Sequence, residues 1–217
     1  MTKEQFEHLT EFEIIGRILD GDIPVYEIIV RRFNTCLYKI GRSFNYNHED
    51  TQDLMQDTYI NAFKCLAQFK RGSSFKTWII RIMLNNCCRK KNKFSFKKEI
   101  VHEIINENVI PMFNSNNDAQ KDIFSHELGK IIEASLLRIP EDYRVVFSLR
   151  EINGLNVAET SSLLGISESN VKVRLNRAKA MLRTDIEKIY SPEELFEFNL
   201  CFCNPFTERV IKKIHEI

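Results

Sequence analysis

Two stretches of this chain carry residue types that recognise nucleic acid, spaced so that they share one side of a helix. In Gly165–Arg183, Ser169, Val173, Asn176 and Arg177 fall on one face, with Lys172, Arg174, Lys179 and Arg183 flanking it. Arginine reads guanine edges, asparagine can read adenine, valine can touch a thymine methyl, and flanking cations neutralise phosphates. Val171, Leu175, Ala178 and Leu182 form the opposite, apolar face. Gly165 supplies the positive φ of a tight inter-helix turn and Ser167 an N-cap. The pattern suits the turn and second helix of a helix-turn-helix lying in a major groove. An amphipathic helix with a solvated basic face is the alternative.

The second stretch places Arg81, Asn85, Arg89 and Asn92 on one helical stripe, with Ile79, Ile80, Met83, Leu84 and Cys87 broadly opposite. Phe69, Lys70, Arg71, Phe75 and the only tryptophan, Trp78, stand at its start. Cations interleaved with aromatics suit a single strand, with phosphates on the cations and unstacked bases on the rings. A flipped base could meet Asn85 or the backbone and hydroxyls of Arg71-Gly-Ser73-Ser74. Against this, Phe75 and Trp78 could simply be core residues. A third constellation, Asp53, Gln56 and Asp57 at i, i+3, i+4, is either a docking face for a basic partner or a solvated face.

No other chemistry is indicated. There is no nucleophile–base arrangement, phosphate loop or metal-ligand set, so neither an enzyme nor a cofactor is expected. Cys36, Cys65, Cys87, Cys88, Cys201 and Cys203 show no repeated CxxC spacing and read as free thiols. No apolar run reaches membrane-spanning length, and the acidic start is wrong for a signal peptide. A cytoplasmic protein is expected.

Positioning these residues calls for an all-α fold, because helical periodicity recurs and strand signals are nearly absent. Glu11–Leu19, Val25–Phe44, Glu49–Phe69 and Phe75–Lys91 read as helices of a first domain, residues 1–94. Residues 95–124 read as a flexible acidic linker, since Glu99–Glu127 holds six acids and one lysine. By contrast, Arg81–Lys98 holds seven basic residues and no acid, although the whole chain of 217 residues has a net charge of only +1. A second small helical domain, 125–188, is broken at Pro140, Asn153-Gly154 and Gly165. Residues 189–217 read as a helical extension, with a capping box at Ser191–Glu194 and a further helix opening at Asn204-Pro205. Its Phe206, Val210, Ile214 and Ile217 line one face, for bracing the second domain or for docking a partner.

With these motifs in order, the chain resembles the compact two-domain bacterial RNA polymerase sigma factors of the extracytoplasmic-function (ECF) class. Asp53-Leu-Met-Gln-Asp57 followed by Tyr59-Ile-Asn61-Ala-Phe63 is similar to the family's region 2 helix, which docks on the polymerase β′ subunit. Phe75-Lys-Thr-Trp-Ile-Ile-Arg-Ile82 with Asn85 resembles the segment that melts the −10 element. Ile139–Glu151 and the helix-turn-helix resemble region 4, the reader of the −35 element. The likeness spans roughly Asp20 to Glu187. One departure is Thr160-Ser161 after Glu159, where the family usually places Ile-Ala. A threonine there can back-bond to the preceding turn but buries less apolar area, by about 1 kcal/mol.

The resemblance implies a non-enzymatic specificity subunit that binds core polymerase through its β and β′ subunits, selects promoter DNA and helps open it. Implied core contacts are Asp53, Gln56, Asp57 and Asn61. Implied −10 contacts are Arg71, Ser73, Ser74, Phe75, Trp78, Arg81, Asn85 and Arg89. Implied −35 contacts are Arg150, Ser169, Lys172, Val173, Asn176 and Arg177. An anti-sigma factor or recruiting protein is a further implied partner, with no membrane insertion. A free-standing helix-turn-helix regulator is the alternative, but it leaves Asp53–Phe63 and Phe75–Asn85 without a role.

Overall fold

The computed structural model describes residues 9–70, 72–97, 119–188 and 200–215. Among them every regular element is helical and there is no strand. The helices are α1 (Glu11–Leu19), α2 (Tyr26–Ser43), α3 (His48–Lys64), α4 (Phe75–Lys97), α5 (Ala119–Arg138), α6 (Glu141–Phe147), α7 (Val157–Leu164), α8 (Glu168–Glu187) and α9 (Leu200–His215). Single 3₁₀ turns at Ile23–Val25 and Leu66–Gln68 lead into α2 and follow α3, and a π-turn at Ser148–Ile152 prolongs α6.

Local chemistry accounts for most of the boundaries. Thr10 and Glu13 close a capping box on α1. Asn47 caps α3 by accepting from the Asp50 N–H at 2.7 Å. Asn156 and Glu159 form a second capping box on α7, and Gly165 ends that helix in the left-handed conformation at φ 65°. Pro140 precedes α6, where a missing N–H costs nothing.

α1 to α4 bury Ile14, Ile18, Ile29, Phe33, Leu37, Ile40, Leu54, Ile79, Ile80 and Met83 against one another. Gly41 lets α2 and α3 approach closely, since a Cβ there would lie 2.6 Å from Thr51 Cγ2. Val145, Leu149 and Leu155, from α6 and the turns after it, join this same core. A smaller cluster of Leu136, Ile139 and Ala178 holds α5 against α8.

Polar groups seal the seam between α2 and α5–α6. Arg42 pairs with Glu133 at 3.0 Å, with side chains 11% and 3% exposed. Arg144 is buried and donates from Nε to the Ser43 carbonyl at 2.6 Å and from Nη1 to the Leu137 and Ile139 carbonyls at 2.9 and 3.0 Å. Those carbonyls sit at the C-terminal ends of α2 and α5, where helix dipoles favour a cation. Burial pulls the Arg144 guanidinium below its ordinary range.

Residues up to Leu182 form one compact unit and Arg183–Ile217 a second. In the second, α9 starts at Leu200 and carries Pro205 inside it, so Asn204-Pro205 does not open the helix as expected. Phe206, Val210 and Ile214 are exposed there. The expected capping box at Ser191–Glu194 and most of the acidic linker lie outside the described residues.

Candidate nucleic-acid interfaces

α4 is divided as its periodicity requires. Ile79, Ile80, Met83, Leu84 and Cys87 are buried, while Arg81, Asn85, Arg89 and Asn92 are exposed. Three rings brace its start. Phe69, Phe75 and Trp78 have mutual centroid distances of 5.3–5.4 Å, tilted or edge-on. Phe75 is only 1% exposed and also meets Phe33, so it belongs to the core; Trp78 is half-buried. Ser74 acts as a cap, accepting from the Thr77 N–H at 3.1 Å with the two hydroxyls 2.8 Å apart. Ser73 is exposed beside it, and Arg71 lies outside the described residues.

On α3, Asp53, Gln56 and Asp57 are exposed and Asn61 is half-buried. Asp53, Asp57 and Asn61 line a groove whose other wall is Arg89 and Lys90 of α4, with Leu54 and Asn86 between them. Sequence spacing missed Asn86 because its neighbour Asn85 carries the stripe. It is buried and donates to Thr58 Oγ1 at 2.9 Å, while Arg89 Nη2 donates to its Oδ1 at 2.6 Å. Arg89 is therefore fixed at the groove edge, between the acidic face of α3 and the exposed stripe of α4. The two threonines Thr51 and Thr58, both fully buried, mark where α3 turns inward.

On α8, Val171 and Ala178 are buried while Ser169, Lys172, Val173, Asn176 and Arg177 are exposed. Ser167 caps the helix, accepting from the Asn170 N–H at 3.2 Å. Arg177 Nη1 donates to the Tyr143 hydroxyl at 3.1 Å, and Arg174 bonds Asn170 Oδ1 at 3.1 Å. Tyr143 is a second residue that spacing did not single out. It lies 34 positions from the arginine it steadies. Arg150, implied as a −35 contact, is half-buried and donates to the Leu155 carbonyl, and its Nε is buried without a partner. The expected back-bond at Thr160 is present, to the Asn156 carbonyl at 2.9 Å.

Residues 29–93 match the family model for sigma-70 region 2, and residues 130–182 the model for sigma-70 region 4. An ECF RNA polymerase sigma-E factor of Haemophilus influenzae is 24% identical over 187 residues, covering 84% of this chain and 98% of the relative. SigW of Bacillus subtilis, an ECF sigma factor, is 25% identical over 187 residues, covering 81% and 96%. Among solved structures, the sigma factor RpoE of Bartonella quintana, determined with the anti-sigma factor NepR, superposes with a TM-score of 0.60 at 19% identity, covering 75% of this chain and 96% of that one. CnrH, determined with the cytosolic domain of CnrY, gives 0.56 at 23%, covering 81% and 96%. These two establish a shared fold.

The chain belongs to the sigma-70 family, in its ECF class, with regions 2 and 4 both present. It is a sigma factor that directs RNA polymerase to promoters. No helix among the described residues is long and apolar enough to cross a membrane.

Proposed function

We propose a residue-level division of labour for this factor. Asp53, Gln56, Asp57 and Asn61 dock core polymerase, whose basic side chains enter the groove between α3 and α4. Asn85, Arg81 and Trp78, with Ser73 and the Arg71 turn, hold the unstacked −10 strand. Lys172, Val173, Asn176, Arg177 and Ser169 read the −35 element. Phe75 and Ser74 serve this site indirectly, as the packed base and the cap of α4, while Arg89 bridges the docking groove and the DNA stripe. The protein acts in the cytoplasm as a specificity subunit without catalytic chemistry of its own. Domain limits near 1–94 and 125–188 follow, with 95–124 as tether and 189–217 as extension. An anti-sigma factor, such as the one bound by RpoE in its structure, is a fitting regulator.

The observation that carries the reading is the pair of exposed polar faces on α4 and α8, each backed by a buried apolar side of the same helix. Melting then means trapping a base that has left the stack, and losing one edge contact costs about 1–3 kcal/mol. The experiment is transcription by core polymerase plus this protein, with RNA 5′ ends sequenced to map the promoter. On that promoter Asn85→Ala should lower initiation from duplex more than from a pre-melted template. Equal losses on both make Asn85 structural and refute the base-trapping role.

A further inference from the structure

α6 meets two neighbouring arginines of α8 and holds them differently. Arg174 is 23% exposed; its Nε donates to Asn170 Oδ1 at 3.1 Å and its Nη2 lies 3.4 Å from Asp142 Oδ2. An amide and a carboxylate thus keep it against the protein. Arg177, three residues on, is rotated about 60° from it, toward the exposed face that carries Val173 and Asn176. Its Nη1 donates to the Tyr143 hydroxyl at 3.1 Å, and the side chain stays exposed.

Tyr143 is itself well anchored. It lies in the first turn of α6, with its N–H on the Pro140 carbonyl at 3.0 Å. The next residue, Arg144, is buried and bonded to the Leu137 and Ile139 carbonyls at 2.9 and 3.0 Å. The Tyr143 ring packs on the cluster of Leu136, Ile139 and Ala178, the last of these on the buried side of α8. The ring is therefore held by packing while its hydroxyl meets the surface beside Arg177.

We infer that Tyr143 is a positioning residue for base recognition: it orients the Arg177 guanidinium before DNA binds and so sharpens discrimination at one base pair of the −35 element. The inference rests on the reading of Arg177 as a −35 contact proposed above. A phenol suits this task in three ways. It is neutral, so it leaves the arginine its full charge, whereas a carboxylate in its place would compete with DNA. It takes one of the five N–H groups, so the guanidinium can keep the tyrosine and still present a two-pronged fork to the O6 and N7 of a guanine. It also limits rotamers: an unrestrained arginine loses much freedom on meeting a base edge, and an oriented one loses less. That gain falls on the matched base, because a mismatched base does not accept the fixed fork.

Tyr143→Phe is the test, since it removes the hydroxyl and keeps the ring in its cluster. Polymerase holoenzyme formed with the full chain is titrated onto the mapped promoter and onto duplexes substituted singly in the −35 element. Arg177→Ala marks the base pair concerned, as the one at which it relaxes preference. For Tyr143→Phe, affinity for the parent promoter should fall about three- to tenfold, the worth of one net hydrogen bond. Affinity for duplexes substituted at the marked base pair should change by less than about twofold. The salt dependence should not change, because no phosphate contact is removed, and neither should the melting temperature of the free chain. An equal fall on every duplex with a lower melting temperature makes Tyr143 merely structural and overturns the inference. Unchanged preference at every position also overturns it. If Arg177→Ala relaxes one position and Tyr143→Phe does not, only the positioning role fails; if Arg177→Ala relaxes none, the reading of Arg177 as a base contact fails too. The double variant should lose no more than Arg177→Ala alone, and a further fall overturns the route through Arg177.

Discussion

Gly41→Ala tests how region 2 fixes its two working helices. Gly41 is helical, so an alanine meets no backbone strain and gains about 1 kcal/mol of helix propensity. Its Cβ, however, would lie 2.6 Å from Thr51 Cγ2, 3.1 Å from Thr51 Oγ1 and 3.1 Å from Met83 Cε. Ordinary carbon contacts are about 3.5–4.0 Å, so the overlap with Thr51 is about 1 Å. Met83 has a flexible tip that can yield, whereas Thr51 is β-branched, helical and fully buried. Overpacking of this kind costs about 1–3 kcal/mol, leaving a net loss of about 1–2 kcal/mol after the propensity gain. Thermal denaturation should show a melting temperature lower by about 2–8 °C for a unit of this size. Thr51→Ser removes Cγ2, the closest atom, so the double variant should recover most of the loss, with a coupling of about 1 kcal/mol. Because α2, α3 and α4 all meet here, Gly41→Ala should also loosen the docking groove and weaken core polymerase binding. A Gly41→Ala protein as stable as the parent, or more stable, refutes the close-approach argument.

Other consequences are simpler to state. Arg177→Ala should relax base preference at one upstream position and cost about 1–3 kcal/mol in affinity, read by binding to a set of singly substituted −35 duplexes. Arg150→Ala should instead lower thermal stability with no change in the salt dependence of DNA binding; a flatter salt slope would make Arg150 a phosphate contact. Burial pushes the Cys87 thiol up to about 12 and that of Cys36 up to about 11. A raised thiol holds less nucleophilic thiolate at a given pH, so at pH 8 iodoacetamide should label exposed Cys88 well before Cys87. Peptide mapping showing both at one rate contradicts the burial of Cys87.

The inward and outward sides of α4 and α8 were legible in the sequence because period alone assigns a face. Gly165 was legible too, since a glycine followed by a serine N-cap has few other uses. Period cannot say which other element covers a face, whether its partners lie near or far along the chain. Arg144 and Glu133 carry charges that a sequence reading assigns to solvent. Their burial depends on carbonyls at the ends of α2 and α5 and on Arg42, 91 residues from Glu133. Phe75 read as either a stacking ring or a core residue, and its contacts with Phe33, Phe69 and Trp78 put it in the core. Arg150, implied as a −35 contact, also bonds the Leu155 carbonyl in the turn ahead of α7, a partner that spacing does not show.

The departure at Thr160-Ser161 has a different meaning in the folded chain than in the sequence. Burying a hydroxyl without a partner costs about 1–3 kcal/mol, which would make these residues a defect in the helix-turn-helix. Each has a partner. Thr160 is fully buried and bonds the Asn156 carbonyl, and Ser161 Oγ donates to the Ile166 carbonyl across the turn at 2.5 Å. The next residue, Ser162, is the one that meets Arg81, and Glu159 spends one carboxylate oxygen on the Asn156 N–H at 2.9 Å and the other on Thr77 at 3.0 Å. A single run, Glu159–Ser162, therefore starts α7, ties its turn and grips α4. The Asn156 and Ile166 bonds are internal to α7 and its turn, so these two hydroxyls are satisfied without a distant element. The Thr77 and Arg81 contacts are the ones that reach α4. The polar pair is thus no defect in the helix-turn-helix, because both of its hydroxyls are bonded within α7 and its turn.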